Sequence, residues 1–192
     1  MIRRIVALRL LWSDLRRIAR DQRGASVVEF ALLLPLMVTL YLGTVEISQG
    51  IAVDRKLTLT ARTVADLASQ YTTINNAVMN DIMAASTAVM YPYSTNTLTV
   101  TVTSVKIDSN SKATVDWSNS YNGTPRAKNS TVTVPAALLV PNTWLIWSEV
   151  QYSYTPTIGY VLTGTLTLKD QLYMAPRLSN CVLYPEANVT TC

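Results

Sequence analysis

Residues Val27 to Ile47 read VVEFALLLPLMVTLYLGTVEI, and the architecture turns on this stretch. It is 21 residues long and carries only two charges, Glu29 and Glu46. As a helix it spans about 31 Å at ~1.5 Å per residue, close to the ~30 Å thickness of a hydrocarbon core. A helix buried in a soluble core usually keeps a polar stripe, which this run lacks. The reading is a membrane-spanning helix over 25–47, with Glu46 at its outer boundary, at headgroup depth.

Upstream, the charge is concentrated. Residues 1–24 hold seven arginines (Arg3, Arg4, Arg9, Arg16, Arg17, Arg20 and Arg23) against Asp14 and Asp21, a net of +5. The remaining nine bases and ten acids leave residues 25–192 at −1. The basic character therefore belongs to a short arm beside an apolar run, as on the cytoplasmic flank of a membrane segment. Without a basic excess elsewhere, nucleic acid is not an expected partner. Ile2, Ile5, Val6, Leu8, Leu10, Leu11, Leu15 and Ile18 interleave with the arginines at near-helical spacing. The leader thus reads as an amphipathic helix on an anionic inner leaflet, or alternatively as a solvated arm. Seven arginines before the span, against Arg55, Lys56 and Arg62 shortly after it, place the N-terminus in the cytoplasm and the rest outside.

The junction between arm and helix carries the chemistry: Arg20-Asp-Gln-Arg23-Gly24-Ala25-Ser26-Val27-Val28-Glu29-Phe30. A secretory signal peptide differs: its apolar core is shorter, has no acid, and precedes a small-residue cleavage site. An ionised carboxylate at mid-membrane costs ~2.5–3.5 kcal/mol, and less near the end of the span where Glu29 sits. A cut between Gly24 and Ala25 creates a compensating group. The new Ala25 amine, with a reference pKa of ~7.7–8.0, is cationic and can pair with Glu29 of a neighbouring subunit. Glycine before the cut also suits an extended, open substrate backbone.

Gly24, four residues, Glu29-Phe30, and then Ala31-Leu-Leu-Leu-Pro35 resemble the TadE-like proteins of the tight-adherence (Flp) pilus system. The resemblance covers about residues 16–70 and extends loosely to Met174-Ala175-Pro176-Arg177. Where the family motif often has tyrosine after the glutamate, this chain has Phe30. The resemblance implies a minor pilin or pseudopilin of a bacterial inner membrane. It also implies an aspartyl prepilin peptidase that cuts after Gly24, making Glu29 the fifth mature residue. Implied partners are membrane lipid, that peptidase, other pilins and the pilus assembly platform. Pro35 reads either as a helix kink that lets the helix bend on leaving the bilayer, or as a tolerated proline. The competing function is an uncleaved single-pass anchor whose extracytoplasmic domain binds a protein.

Beyond the span, Val53, Leu57, Ala61, Val64, Ala68 and Tyr71 follow steps of three and four, so the helix is expected to continue. Pro35, Gly43 and Gly50 argue against a straight rod. Thr72 to Asn75 reads as a break with capping chemistry. A second helix is expected from about Asn75 to Val89, with Val78, Ile82, Ala85 and Val89 on its buried face. Thr97–Val102 alternates as a strand, and Ser104 shifts the pattern, so Val105 and Ile107 follow a bulge. Residues 108–130 read as a loop around a short strand at 113–117. Further strands are expected at 130–134, 144–154, 160–169 and 172–175, with an ordinary turn at Lys169-Asp170-Gln171. The expected fold is an α+β head over 48–192, with an antiparallel sheet packed on helices. Most tryptophans and tyrosines read as core and cross-strand pairs.

Cys181 and Cys192 lie in the C-terminal tail. If that tail is in an oxidising compartment they can bridge, closing a small loop; otherwise they are two free thiols. The chain has no histidine. That excludes Ser-His-Asp and Cys-His catalysis and every His-containing zinc site. Two cysteines also exclude a four-thiolate metal site. With no nucleophile–base pair, phosphate loop or clustered metal carboxylates, the composition argues against an enzyme and requires no cofactor.

Overall fold

The computed structural model describes residues 24–156 and 164–192. The basic leader and the start of the strand expected at Tyr160 lie outside these residues. Helix α1 runs from Ala25 to Ser69, 45 residues, and passes through Pro35 without interruption. Two compact units divide between Val45 and Glu46, the second being Glu46–Cys192.

In the second unit, Val53, Leu57, Ala61, Val64 and Ala68 of α1 are all at most 1% exposed. The stripe read from their spacing is therefore the buried one, whereas Tyr71, beyond the helix end, is exposed. Glu46 is a correction. Rather than sitting at headgroup depth, it is fully buried in the head. It lies seven residues before Val53, two helical turns back, so helix periodicity carries it onto the same inward stripe.

Asn75 caps helix α2, Asn76–Val89, its side-chain oxygen accepting from the Val78 N–H at 2.8 Å. This satisfies one of the donors left open at a helix start. The buried face of α2 is Met79, Ile82, Met83 and Ser86 rather than Val78, Ala85 and Val89 around Ile82. Both sets have helical spacing. The unbranched methionines fill the irregular gap against the sheet, and the Ser86 hydroxyl is satisfied by the Met83 carbonyl.

The sheet has four antiparallel strands in the order β2-β1-β3-β4. They are β1 (Leu98–Ile107), β2 (Ala113–Tyr121), β3 (Thr143–Tyr154) and β4 (Leu166–Met174). The fold is α+β, as expected. The register shift does fall at Ser104/Val105, and the extra residue belongs to β2: Trp117 faces Ser104 and Val115 faces Val105, leaving Asp116 unpaired between them.

The sheet buries both faces. Leu98, Val100, Val102, Trp117, Ile146 and Val150 pack with the helices. Val105, Ile107, Ala113, Val134, Leu145 and Trp147 form a second core on the opposite face. This is why apolar residues change parity along β1: a second layer awaits them.

Three strand boundaries differ from expectation. Strand β2 continues to Tyr121 because Thr103 and Thr101 hydrogen-bond to Ser118 and Ser120, each pair at 2.9 Å, so a loop-like polar stretch is a ladder. Residues 130–134 form only an isolated bridge, Thr131 to Thr114, bounded by Asn129 at φ 63 and by Pro135. Lys169-Asp170-Gln171 is no turn. It lies inside β4, opposite Gln151, Val150 and Glu149, and its polarity reflects an edge strand exposed to water.

The C-terminal tail ties the layers together. The Arg177 N–H donates to the Ser69 carbonyl at 2.9 Å, and its guanidinium pairs with Asp66. Leu183 bonds through its N–H to Thr72 and through its carbonyl to Ile74. Buried Trp117 donates its indole N–H to the Val182 carbonyl at 2.7 Å and meets Tyr184 edge-on at 5.5 Å.

Candidate functional site

The first candidate site is the start of α1. Residues 24–38 are exposed throughout, including Phe30 at 58% and Leu32 at 73%. Exposed apolar side chains in such a run are what a lipid or protein partner covers. Among the described residues this is the one helix long and apolar enough to cross a membrane, with a mean hydropathy of 2.0 over its best window.

Gly24 immediately precedes the helix, and a methyl group built on it meets nothing within 4 Å. Ala25 is the first helical residue. Glu29 lies one turn further in and is exposed, with no hydrogen-bond or ion-pair partner among the described residues. Gly24, Ala25, Glu29 and Phe30 thus fall within about a turn and a half of chain, with the acid facing outward. Pro35 sits inside the continuous helix, and the Thr39 hydroxyl donates to its carbonyl at 2.8 Å.

At the other end of the sequence, Cys181 and Cys192 are joined: S–S is 2.03 Å and the Cα atoms are 5.8 Å apart. Cys181 is fully buried. The bridge encloses Val182, Tyr184 and Val189, all core residues.

Other perturbed groups lie in the head. Burial raises the Asp116 carboxyl above its ordinary 3.8, opposed by the Lys128 and Lys106 charges. Burial also raises the Tyr154 hydroxyl, helped by Tyr93, Glu46 and Tyr152. Among the described residues no group of histidine, cysteine, aspartate or glutamate has the clustering needed for a metal. Sequence reading did not anticipate the pair Arg126–Glu149, which joins the loop after β2 to β3 at 2.8 Å. Its only sequence signal is a lone arginine in a polar loop, which does not specify a partner.

An exposed apolar helix leading the chain, together with an α+β head, fits a membrane-anchored protein. Residues 24–66 match the model of a family described as TadE-like protein. The resemblance read from Gly24, Glu29-Phe30 and Pro35 is thus a family match over that segment, which begins at Gly24. No curated protein and no solved structure matches the chain.

Proposed function

We propose that this protein is a TadE-like minor pilin or pseudopilin of a tight-adherence pilus. It is made as an inner-membrane precursor with its N-terminus in the cytoplasm, and it serves as a structural component rather than an enzyme. The observation that carries the reading is the family match beginning at Gly24, on a helix whose following residues are apolar and exposed. A prepilin peptidase cuts after Gly24. The Ala25 amine of one subunit then neutralises Glu29 of the next, and the apolar helices bundle as the subunit leaves the bilayer for the assembly platform. Two further features support this reading. Glu29 has no partner among the described residues of its own chain, which leaves its carboxylate available to a neighbour's amine. Among the described residues nothing lies within 4 Å of a side chain built at Gly24, which suits a protease substrate.

N-terminal sequencing of the protein from the envelope fraction tests the reading. Ala25 as the first residue is expected. Recovery beginning at Met1, in cells that elaborate pili, would overturn it in favour of an uncleaved anchor with a protein-binding head. Gly24→Ala is expected to slow processing and Gly24→Val to block it. Since a Cβ at Gly24 meets nothing within 4 Å among the described residues, neither change is expected to alter the fold, and the effect reports what the peptidase requires.

A further inference from the structure

The second core leaves part of its sheet face uncovered, and that part is a groove of about 720 Å³. Its floor is built of two lateral rungs that cross β1, β3 and β4. One is Thr101, Glu149 and Gln171; the next is Thr99, Gln151 and Lys169. Neighbouring strands lie ~4.8 Å apart and alternate residues ~6.8 Å apart, so six polar side chains share a patch of about 10 by 7 Å. Thr124 and Arg126 form the wall. Arg126 is held in place: it makes paired hydrogen bonds to Glu149 at 2.8 and 3.0 Å, and its guanidinium lies 4.2 Å from the Trp147 ring centroid.

We infer that this groove binds an uncharged polyhydroxylated chain, a neutral glycan. Arg126 and Glu149 neutralise one another, and Asp170, opposite Val150, alternates onto the other face of the sheet, so Lys169 is the single charge left over and neither a polyanion nor a polycation is favoured. The floor consists of hydroxyls, amides and charged heads, which an apolar ligand would leave unsatisfied. Thr124, Gln151 and Lys169 have no side-chain partner among the described residues. Gln171 accepts from the Trp147 indole through its oxygen, which leaves its amide protons available. Hydroxyl and amide groups both donate and accept, and a sugar hydroxyl does the same from one atom. An extended peptide would add to the edge of a sheet, by main-chain pairing, whereas these groups stand on its face.

The test uses the full-length protein in a zwitterionic detergent that carries no sugar. It is applied to an array of neutral, sulfated and sialylated oligosaccharides, and the strongest neutral ligand is then titrated by calorimetry. Capture of neutral oligosaccharides is expected. The Thr124→Ala, Gln151→Ala double variant is expected to lower affinity about tenfold, the equivalent of one or two ordinary hydrogen bonds, with an unchanged melting midpoint. Both side chains are exposed and have no side-chain partner among the described residues, so the fold does not depend on them. No capture, capture of acidic oligosaccharides alone, or neutral binding that survives both substitutions would each overturn the inference. Processing at Gly24 is read separately on the same preparation.

Discussion

Glu29 is the residue on which assembly is expected to depend. Its carboxylate stands near the start of an apolar helix, where the insertion penalty is smaller than the ~2.5–3.5 kcal/mol of mid-membrane. Glu29→Ala should therefore leave membrane-fraction abundance unchanged or raise it, while lowering recovery of the protein in sheared pili. Normal pilus incorporation by the variant would end the pairing with a neighbour's amine. Asp116 is a different kind of acid. It occupies the β2 bulge, and burial lifts its pKa above 3.8, so the folded state holds the proton more tightly than the unfolded one. The contribution of this group to stability is then greatest below pH 3.8 and falls as pH rises through the raised value. Asp116→Asn removes that slope. In urea unfolding, the stability of the variant relative to wild type should improve from pH 3.5 to pH 7, and a constant difference would assign the bulge no linkage.

At the scale of elements, α1 allows a comparison between two leucines two residues apart. Leu57 is fully buried and Leu59 is 51% exposed. Leu57→Ala should destabilise the head by about 2–5 kcal/mol, through lost transfer energy and a residual cavity. Leu59→Ala should stay within about 0.5 kcal/mol. Denaturant midpoints of the two variants check the rotational setting of the helix, and similar losses would contradict it. This setting was readable in advance because only one phase of the 3.6-residue repeat collects Val53, Leu57, Ala61, Val64 and Ala68. The phase of α2 was not, since Val78/Ile82/Val89 and Met79/Ile82/Met83 are equally good stripes and the choice rests on what the sheet presents. The sheet itself was legible in β1 and β3, where alternation is strong. It was obscured in β4, where water on an exposed edge permits Lys169-Asp170-Gln171 in mid-strand. It was also obscured in the second half of β2, where a hydroxyl ladder replaces apolar contacts. The junction at Gly24 and Glu29 is a motif of local chain order, and the family match begins at its first residue. The groove could not be read in advance, because Thr101, Glu149 and Gln171 meet only through strand pairing and Arg126 joins them from the loop after β2.

For the molecule as a whole, the C-terminal disulfide couples the integrity of the head to its compartment. The bridge spans 11 residues of sequence, and the loop it closes carries Val182, Tyr184 and Val189 into the main core beneath Trp117. Closing a loop of that size contributes about 3 kcal/mol by restricting the unfolded chain. The loop also supplies Leu183, which hydrogen-bonds to Thr72 and Ile74 in the link between α1 and α2, so loosening it weakens the contact between tail and helices. Cys192→Ser is expected to lower head stability by about 2–4 kcal/mol, and a thiol reductant should reproduce that loss in wild type without adding to it in the variant. Limited proteolysis should then cut between Leu183 and Cys192 before any site in the sheet. An unchanged unfolding midpoint after complete reduction would show that packing of Val182 and Tyr184 alone holds the tail. The head would then fold equally well on the reducing side of a membrane, and the disulfide would no longer argue for export.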